Sequence, residues 1–312
     1  MKISIALCTY NGEKFIREQI DSILKQTQKV SEIVICDDGS VDSTIEILQN
    51  YKNRYPEIFK IHINKKNLKS VKNFEKAIAL CTGDIIFLSD QDDIWEREKV
   101  KTYCHFIENH SDISVICSNG FIINENSKKI DQYTIWDIPK FFKEKNEIVN
   151  YYEIIAFISN IATGASMAIR REFIENILPI PEIEGFHHDE WIALIAAYEN
   201  KFAMIDDKLF SYRFHENQQV GGVFVEKNDF SKKDLLKKFY SQEYSKNPSV
   251  KLSFLKRLKR RERKLKEVYL STDNKIFNSI LLNIQAKRNE ITEELKSDNF
   301  ILFVLYKILG KI

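Results

Sequence analysis

The sequence predicts an α/β fold built on a mostly parallel central sheet with flanking helices, followed by a C-terminal helical region. Three observations predict it. Short apolar runs alternate with helical periodicity in the first half of the chain, polar and acidic clusters follow the ends of those runs, and the last part is basic and amphipathic. Strand–helix alternation at this spacing calls for a parallel sheet covered on both faces. Such sheets bind ligands beyond the carboxyl ends of their strands.

Ile3-Ser4-Ile5-Ala6-Leu7-Cys8 reads as a buried strand. The helix expected after it runs from about Glu13 to Gln26, with Phe15, Ile16, Ile20, Ile23 and Leu24 on one face. Glu32 to Cys36 is a second strand, and Asp42 is placed to cap a helix in which Ile45, Ile47, Leu48 and Tyr51 face inward. Phe59 to Ile63 is a third strand, Val71 to Leu80 a helix, and Asp84 to Leu88 a fourth strand. Beyond it the pattern weakens. Val115 to Ile123 has the look of a strand pair, Asp131 to Glu147 of a loop, Tyr151 to Ile158 of a helix and Gly164 to Ile169 of a strand. His188 to Tyr198 reads as a helix, and Phe202 to Ile205 and Lys208 to Phe214 read as strands. There is no internal repeat, and the expected boundary lies between Gly222 and Phe230, dividing the chain into a body of residues 1–225 and a tail of residues 226–312.

The chain has 312 residues, 44% of them apolar and 29% charged, enough for a large core. This composition excludes a disordered chain, a collagen-like fibre and a disulfide-stapled miniprotein. The net charge of +2 hides a partition: residues 226–312 carry 21 Lys+Arg against 11 Asp+Glu, a net of +10, leaving 26 against 34, a net of −8, in the body. Cys8, Cys36, Cys81, Cys104 and Cys117 include no Cys-x-x-Cys pair and are expected to be buried and reduced. The apolar run at Ile3 to Cys8 is too short for a signal-peptide core, and no run approaches the ~20 residues of a membrane span. A cytoplasmic protein is expected, with or without peripheral attachment to the inner face of the membrane.

Four clusters are candidates to carry chemistry. Asp90-Gln91-Asp92-Asp93 follows the fourth strand, and its carboxylates repel one another unless a cation or donors neutralise them. A divalent cation such as Mn²⁺ or Mg²⁺, held together with a diphosphate, and an acidic turn capping the next helix are both open readings. Asp37-Asp38-Gly39-Ser40 allows a tight turn at Gly39, with a carboxylate able to accept a base N–H or a ribose hydroxyl. His187-His188-Asp189-Glu190-Trp191 opens a helix, where Asp189 is either a general base or a first-turn acid. His215, in Arg213-Phe214-His215-Glu216-Asn217 before Gly221-Gly222, is a metal or phosphate ligand or a surface histidine. Neither a P-loop nor a Gly-x-Gly-x-x-Gly fingerprint occurs, so a nucleotide would be handled without a glycine cradle.

Thr9-Tyr10-Asn11, Asp37-Asp38-Gly39-Ser40, Gly83-Asp84, Asp90-Gln91-Asp92-Asp93, Gly164-Ala165, His188-Asp189-Glu190-Trp191 and Tyr212-Arg213-x-His215, in this order over residues 1–222, resemble family 2 glycosyltransferases of the GT-A fold, in particular bacterial rhamnosyltransferase-like members. The resemblance implies a non-processive, inverting transferase that uses a nucleotide-diphosphate sugar (UDP- or dTDP-linked), Mn²⁺ or Mg²⁺, and a glycan or lipid-linked acceptor. It implies that Cys8, Thr9 and Asn11 line the nucleotide, that Asp38 contacts the base, and that Asp90 and Asp92 are the acids of a D-x-D motif with Gln91 between them. It further implies that Asp92 is the direct metal ligand, that Asp189 is the catalytic base, and that His215 closes on the diphosphate or the metal. His188-Asp189 departs from the Glu-Asp pair common at the base helix, and the Gln-x-x-Arg-Trp motif of processive synthases is absent. Two other readings stand beside this one: an inactive nucleotide-sugar-binding scaffold acting through its tail, and a nucleotidyltransferase, which lacks its usual glycine- and arginine-rich N-terminal loop here.

The tail places Lys232-Lys233, Lys237-Lys238 and the basic run Lys256 to Lys266 among Leu235, Leu236, Phe239, Leu252, Leu255, Leu258 and Leu265 at helical spacing. Contact with an anionic membrane surface, packing on the body, and a homo-oligomer interface are all open readings of it. No nucleic-acid-reading module accompanies the charge, and nucleic acid is not expected as a partner.

Overall fold

A computed structural model describes residues 1–215, 224–239, 247–272 and 275–309. Its first half alternates as expected: β1 (Ile3–Thr9), α1 (Ile16–Leu24), β2 (Glu32–Asp37), α2 (Thr44–Arg54), β3 (Phe59–Ile63), α3 (Lys69–Leu80) and β4 (Ile85–Ser89). There follow β5 (Ile94–Trp95), α4 (Lys99–Asn109), β6 (Val115–Ile123), β7 (Lys129–Ile130), β8 (Gln132–Thr134), α5 (Ile138–Lys143) and α6 (Tyr151–Glu153). The body continues through β9 (Ala168–Arg170), α7 (Ile174–Ile177), α8 (His188–Tyr198), β10 (Phe202–Arg213) and β11 (Phe224–Glu226). The tail consists of α9 (Asp229–Phe239), α10 (Pro248–Thr272), α11 (Lys275–Asp298) and α12 (Phe300–Ile308).

The main sheet has the order β3-β2-β1-β4-β9-β6-β10-β5, with β7 on β6. β1 is buried along its whole length because β2 and β4 flank it in parallel and helices cover both faces. β9 is inserted antiparallel between β4 and β6, and β10 runs parallel to β6. The carboxyl ends of β1, β2, β4, β6 and β10 therefore share one edge, and the segment leading into β9 starts from that edge.

β5 follows β4 in the chain yet pairs antiparallel with β10 at the far side. Four strand spacings of ~4.8 Å amount to roughly 19 Å, more than the roughly 17 Å that five fully extended residues reach. The sheet has to curl to let residues 90–93 make the link. β10 is interrupted in register between Ile205 and Lys208 and again before Ser211, and such bulges bend a strand.

Several expectations need correction. Val115 to Ile123 is one strand, not a pair, and the two strands expected between Phe202 and Phe214 are one bulged strand. Gly164 to Ser166 forms a 3₁₀ turn ahead of β9. The segment Asp131 to Glu147 is not a loop: it holds β8 and α5, whose Ile138, Pro139, Phe141 and Phe142 are buried. Its start was marked by Thr134-Ile135-Trp136-Asp137, a capping box in which Thr134 N donates to Asp137 Oδ2 at 2.8 Å and Trp136 N to Thr134 Oγ1 at 3.1 Å. All five cysteines are free and buried.

The tail packs on the body. α10 and α11 run antiparallel: Lys251 pairs with Asp298 at 2.5 Å, and Glu262 is bonded by Gln285 at 3.0 Å and paired with Arg288. α8 is buried from Glu190 to Ala197 without a solvent face, so it needs a layer on each side. The tail supplies the outer layer. Phe277 stacks on Trp191 at 4.2 Å, Arg261 pairs with Glu190 and donates to Ile155 O at 2.7 Å, and Lys264 donates to Gly185 O at 2.5 Å. The division expected between residues 225 and 226 falls inside β11, which pairs with β8. Among the described residues no helix is long and apolar enough to cross a membrane.

Candidate active site

The loops leaving β1 and β2 hold each other through Asp37. Its Oδ1 accepts from Gly39 N at 3.1 Å and Ser40 N at 2.8 Å, and its Oδ2 accepts from Thr9 Oγ1 at 2.7 Å and Ser40 Oγ at 2.5 Å. The turn passes through Gly39 at φ +83°, a conformation that costs glycine little. Asn11 also takes a positive φ, 49°, tolerated by its short polar side chain. Its N–H donates to Ser40 Oγ at 2.9 Å, and its Oδ1 accepts from Val41 N at 2.9 Å. Cys8, beside Cys36 on β2, lies buried beneath this rim, and burial together with the nearby charges of Asp90 and Asp38 pushes its thiol well above the usual range.

Asp38 turns the other way. Its Oδ1 accepts from Asn64 Nδ2 at 2.8 Å and Leu68 N at 2.7 Å, and its Oδ2 accepts from Lys69 N at 2.8 Å, which ties β2 to the start of α3. The carboxylate expected to meet a base is thus bonded to three donors of the protein itself.

Three residues of the acidic loop after β4, Gln91, Asp92 and Asp93, have side-chain partners. Gln91 grips the first rim loop twice, accepting from Tyr10 N at 2.8 Å and donating to Tyr10 O at 3.1 Å. Asp92 Oδ2 lies 2.9 Å from His215 Nε2. Asp93 is buried, with Oδ1 accepting from Arg213 N at 3.0 Å and Oδ2 without a hydrogen-bond partner among the described residues. Burial, with the charges of Asp92 and Asp189 close by, pushes Asp90 up to about 8.

Arg213 was quoted in the sequence motif without a role, and the structure supplies one. Its guanidinium is buried and stacks over Phe15 at 4.4 Å. It donates to Asp92 O at 2.7 Å, Ser127 Oγ at 3.0 Å and Glu18 Oε2 at 2.5 Å, clamping the acidic loop to α1 and to the turn after β6. Asp37 and Lys99 were also missed. Lys99 is buried, lies 3.9 Å over the Trp95 ring and donates to Ala165 O at 2.8 Å; burial pulls it down to about 7 against the opposing charge of Asp93. Arg213, flanked by Tyr212 and Phe214 in a strand, was the available signal, since such cations are buried only with partners, whereas Lys99, between Glu98 and Val100 with Lys101 beyond, gave none.

Asp189 lies in the first turn of α8. Its Oδ2 accepts from Gly164 N at 3.3 Å, and its Oδ1 accepts from Glu190 N at 2.6 Å. Burial pushes it up to about 6, with His187 and the N–H groups of Gly164 and of Asp189 itself pulling the other way. Beneath it the His188 ring stacks on Phe74 at 3.9 Å, and burial holds that imidazole neutral, down at about 3. The ring explains Gly164: a Cβ there would lie 2.6 Å from His188 Nε2.

Thr9, Asn11, Asp90, Gln91, Asp92, His215 and Asp189 therefore gather along one edge of the sheet, while Cys8 and Asp38 are packed beneath it. The part of the late loop at Glu216-Asn217 and Gly221-Gly222 lies outside the described residues. The Asp92 carboxylate and the His215 imidazole are hard and intermediate donors spaced as neighbours in one coordination shell, and Asp93 adds an unpartnered buried oxygen. They fit Mn²⁺ or Mg²⁺. Among the described residues no group of three His, Cys, Asp or Glu side chains is placed to hold a metal ion, so Asp92 and His215 would need further ligands, such as substrate phosphates, to complete a shell.

Residues 4–178 match the glycosyl transferase family 2 profile. An uncharacterized glycosyltransferase of Nostoc is 27% identical over 224 residues, covering 69% of this chain and 65% of the relative. The chain thus spans just under two thirds of that relative's length. A dTDP-rhamnosyl transferase of Shigella flexneri, RfbG, is 29% identical over 258 residues, covering 77% of this chain and 82% of the relative. In fold, the chain is similar to S. aureus TarS 1–349 in complex with UDP-GlcNAc, with a TM-score of 0.55, 19% identity, and coverage of 96% of this chain and 92% of the other.

Proposed function

The chain belongs to glycosyl transferase family 2, and from that premise we propose that it transfers a sugar from a nucleoside-diphosphate donor to an acceptor hydroxyl with inversion, in a non-processive manner. The observation that carries the proposal is the approach of Asp189 to the acidic loop: Gly164 N, which bonds Asp189 Oδ2 at 3.3 Å, opens the turn before β9, and β9 pairs with β4, whose carboxyl end leads into Asp90. That arrangement sets a basic carboxylate beside a place for a diphosphate.

Asp189 takes the proton of the acceptor hydroxyl, the hydroxyl oxygen attacks the anomeric carbon, and the nucleoside diphosphate departs from the opposite face. Gly164 N and Glu190 N hold the Asp189 carboxylate in orientation. Asp92 and His215 would hold Mn²⁺ or Mg²⁺, which neutralises charge on the departing diphosphate when bound. The rim formed by Thr9, Asn11 and Gln91 receives the nucleotide, and Cys8 and Asp38 support it from below. UDP and dTDP sugars are the donors to try, because the relatives include a dTDP-rhamnosyl transferase and a structure with UDP-GlcNAc. A glycan or lipid-linked acceptor would place the reaction at the cell envelope.

Asp189→Asn tests the proposal. Transfer is expected to fall roughly 10²–10⁴-fold while nucleotide-sugar binding by calorimetry stays unchanged; normal turnover would remove Asp189 from the role. Asp92→Ala is expected to abolish the Mn²⁺ dependence of nucleotide binding, and calorimetry with and without Mn²⁺ reads it.

A further inference from the structure

The face of α10 turned away from the body is a row of cations. Arg261, Leu258, Leu265 and Val268 point inward, while Lys256, Lys259, Arg260, Arg263 and Lys266 are exposed. Their spacing follows the turns of one helix, so they form a single stripe. With Arg288 of α11 they line a concave cleft of about 580 Å³. The one acid of this cleft, Glu262, is buried and already paired with both Lys266 and Arg288. Lys256, Lys259, Arg260 and Arg263 make no ion pair with any described residue. Glu267 on the same helix offsets part of their repulsion, and the remainder shows at Lys264: partial burial and the charges of Arg261, Arg260 and Arg263 lower its pKa.

Exposed apolar side chains stand toward both ends of α10. Leu270, one turn beyond Lys266 on the same stripe, is 83% exposed. After α11, the short helix α12 has no buried residue at all. Phe303 and Tyr306 lean on the body, and Ile301, Leu305 and Ile308, spaced as one helix face, are exposed, Ile301 by 81%. A soluble polyanion has use for the cations but none for the bare leucines and isoleucines. A bilayer with anionic headgroups has use for both.

We propose that the outer face of α10, with Leu270 and the exposed face of α12, is a docking surface for an anionic phospholipid bilayer. Phosphate headgroups enter the cleft between Lys256, Arg260, Arg263 and Arg288, and the apolar side chains enter the acyl boundary. This surface lies behind α8, whose Glu190 is paired with Arg261 on the inner side of α10, so the docked helix is also the one that backs the helix of Asp189.

Co-sedimentation of the full chain with phosphatidylcholine vesicles, with and without phosphatidylglycerol, tests the proposal. The chain is expected to pellet with the anionic vesicles only, and less as salt is raised. Lys256→Gln, Lys259→Gln, Arg260→Gln and Arg263→Gln combined should weaken that binding on the order of 10²-fold. Ile301→Ser with Leu305→Ser and Ile308→Ser should weaken it separately while leaving the salt dependence. Neither variant alters the rim, so nucleotide-sugar hydrolysis in solution should be retained and reports that the chain is folded. Equal pelleting of the wild type on neutral and anionic vesicles, undiminished pelleting of the four-site variant, or capture by an oligonucleotide without any vesicle binding would overturn the assignment.

Discussion

At the scale of single residues, the site is defined by carboxylates that solvent has left. Asp189, the proposed base, can accept a proton only when ionised, and burial pushes its pKa up to about 6. Turnover under saturating substrate should therefore rise with pH through about 6 and level above it, standing about tenfold below the plateau near pH 5. The same shift has a sign for stability. The folded value exceeds the unfolded one, so the native state holds the proton more tightly, and the stability associated with it is lost as pH rises from about 4 to about 6. Asp189→Asn should accordingly raise the stability of the protein near pH 8, by on the order of 2 kcal/mol in chemical denaturation, while it lowers transfer. A variant that loses both would mark Asp189 as a structural residue. Asp90, Asp92, Asp189 and His215 were legible in the sequence as residue types, and the fold places them along one edge of the sheet. The bonding of Asp38 to Asn64, Leu68 and Lys69 was not legible, because it depends on how α3 begins, and a sequence records no such distances.

At the scale of elements, the edge of the sheet opposite the site has its own polar node. Glu32 at the start of β2 accepts from Ser4 Oγ of β1 at 2.5 Å and from Thr82 N at 2.5 Å, and pairs with Lys60 of β3. Burial alone would raise its pKa; the bonds from Lys60, Ser4 and Thr82 outweigh burial and lower it to about 2. A depressed carboxylate stabilises the fold above its unfolded value and ceases to do so as pH falls through its folded value. Glu32→Gln should cost about 3 kcal/mol at neutral pH in urea denaturation, and the difference should vanish between about pH 4.5 and 2. The pair Arg261–Glu190 is a second such node, between tail and body. Arg261→Ala leaves a buried carboxylate alone and should destabilise by about 3–5 kcal/mol; Glu190→Gln in the same chain should return part of that loss. The strands and helices before residue 90 were legible because each is a regular apolar pattern of one period. α5 was not, since two turns are too few to display a period, although its capping box stood in plain view.

At the scale of the whole molecule, the acidic body and basic tail seen in the charge partition are two chemical faces of one packed unit. α8 should have announced this, since a helix apolar on every side cannot end a domain at solvent. Removing residues 226–312 would strip Phe277 from Trp191 and Arg261 from Glu190. The truncated body should aggregate or bind a hydrophobic dye strongly, and size-exclusion chromatography of residues 1–225 checks it. A soluble, monomeric 1–225 fragment would make the tail an independent appendage.

The crossing of residues 90–93 to the far strand has a consequence in time. Asp93 and the amide that holds it, Arg213 N, are 120 positions apart in the chain. On a translating ribosome the acids emerge long before the strand that straps them down, so the early chain carries β1 to β4 with a loose, self-repelling acidic hook. The acidic loop gains its last fixings when β10 arrives and Arg213 closes the clasp. Until then Asp92 and Asp93 of a partly made chain lack the guanidinium and the amide that hold them in the folded protein.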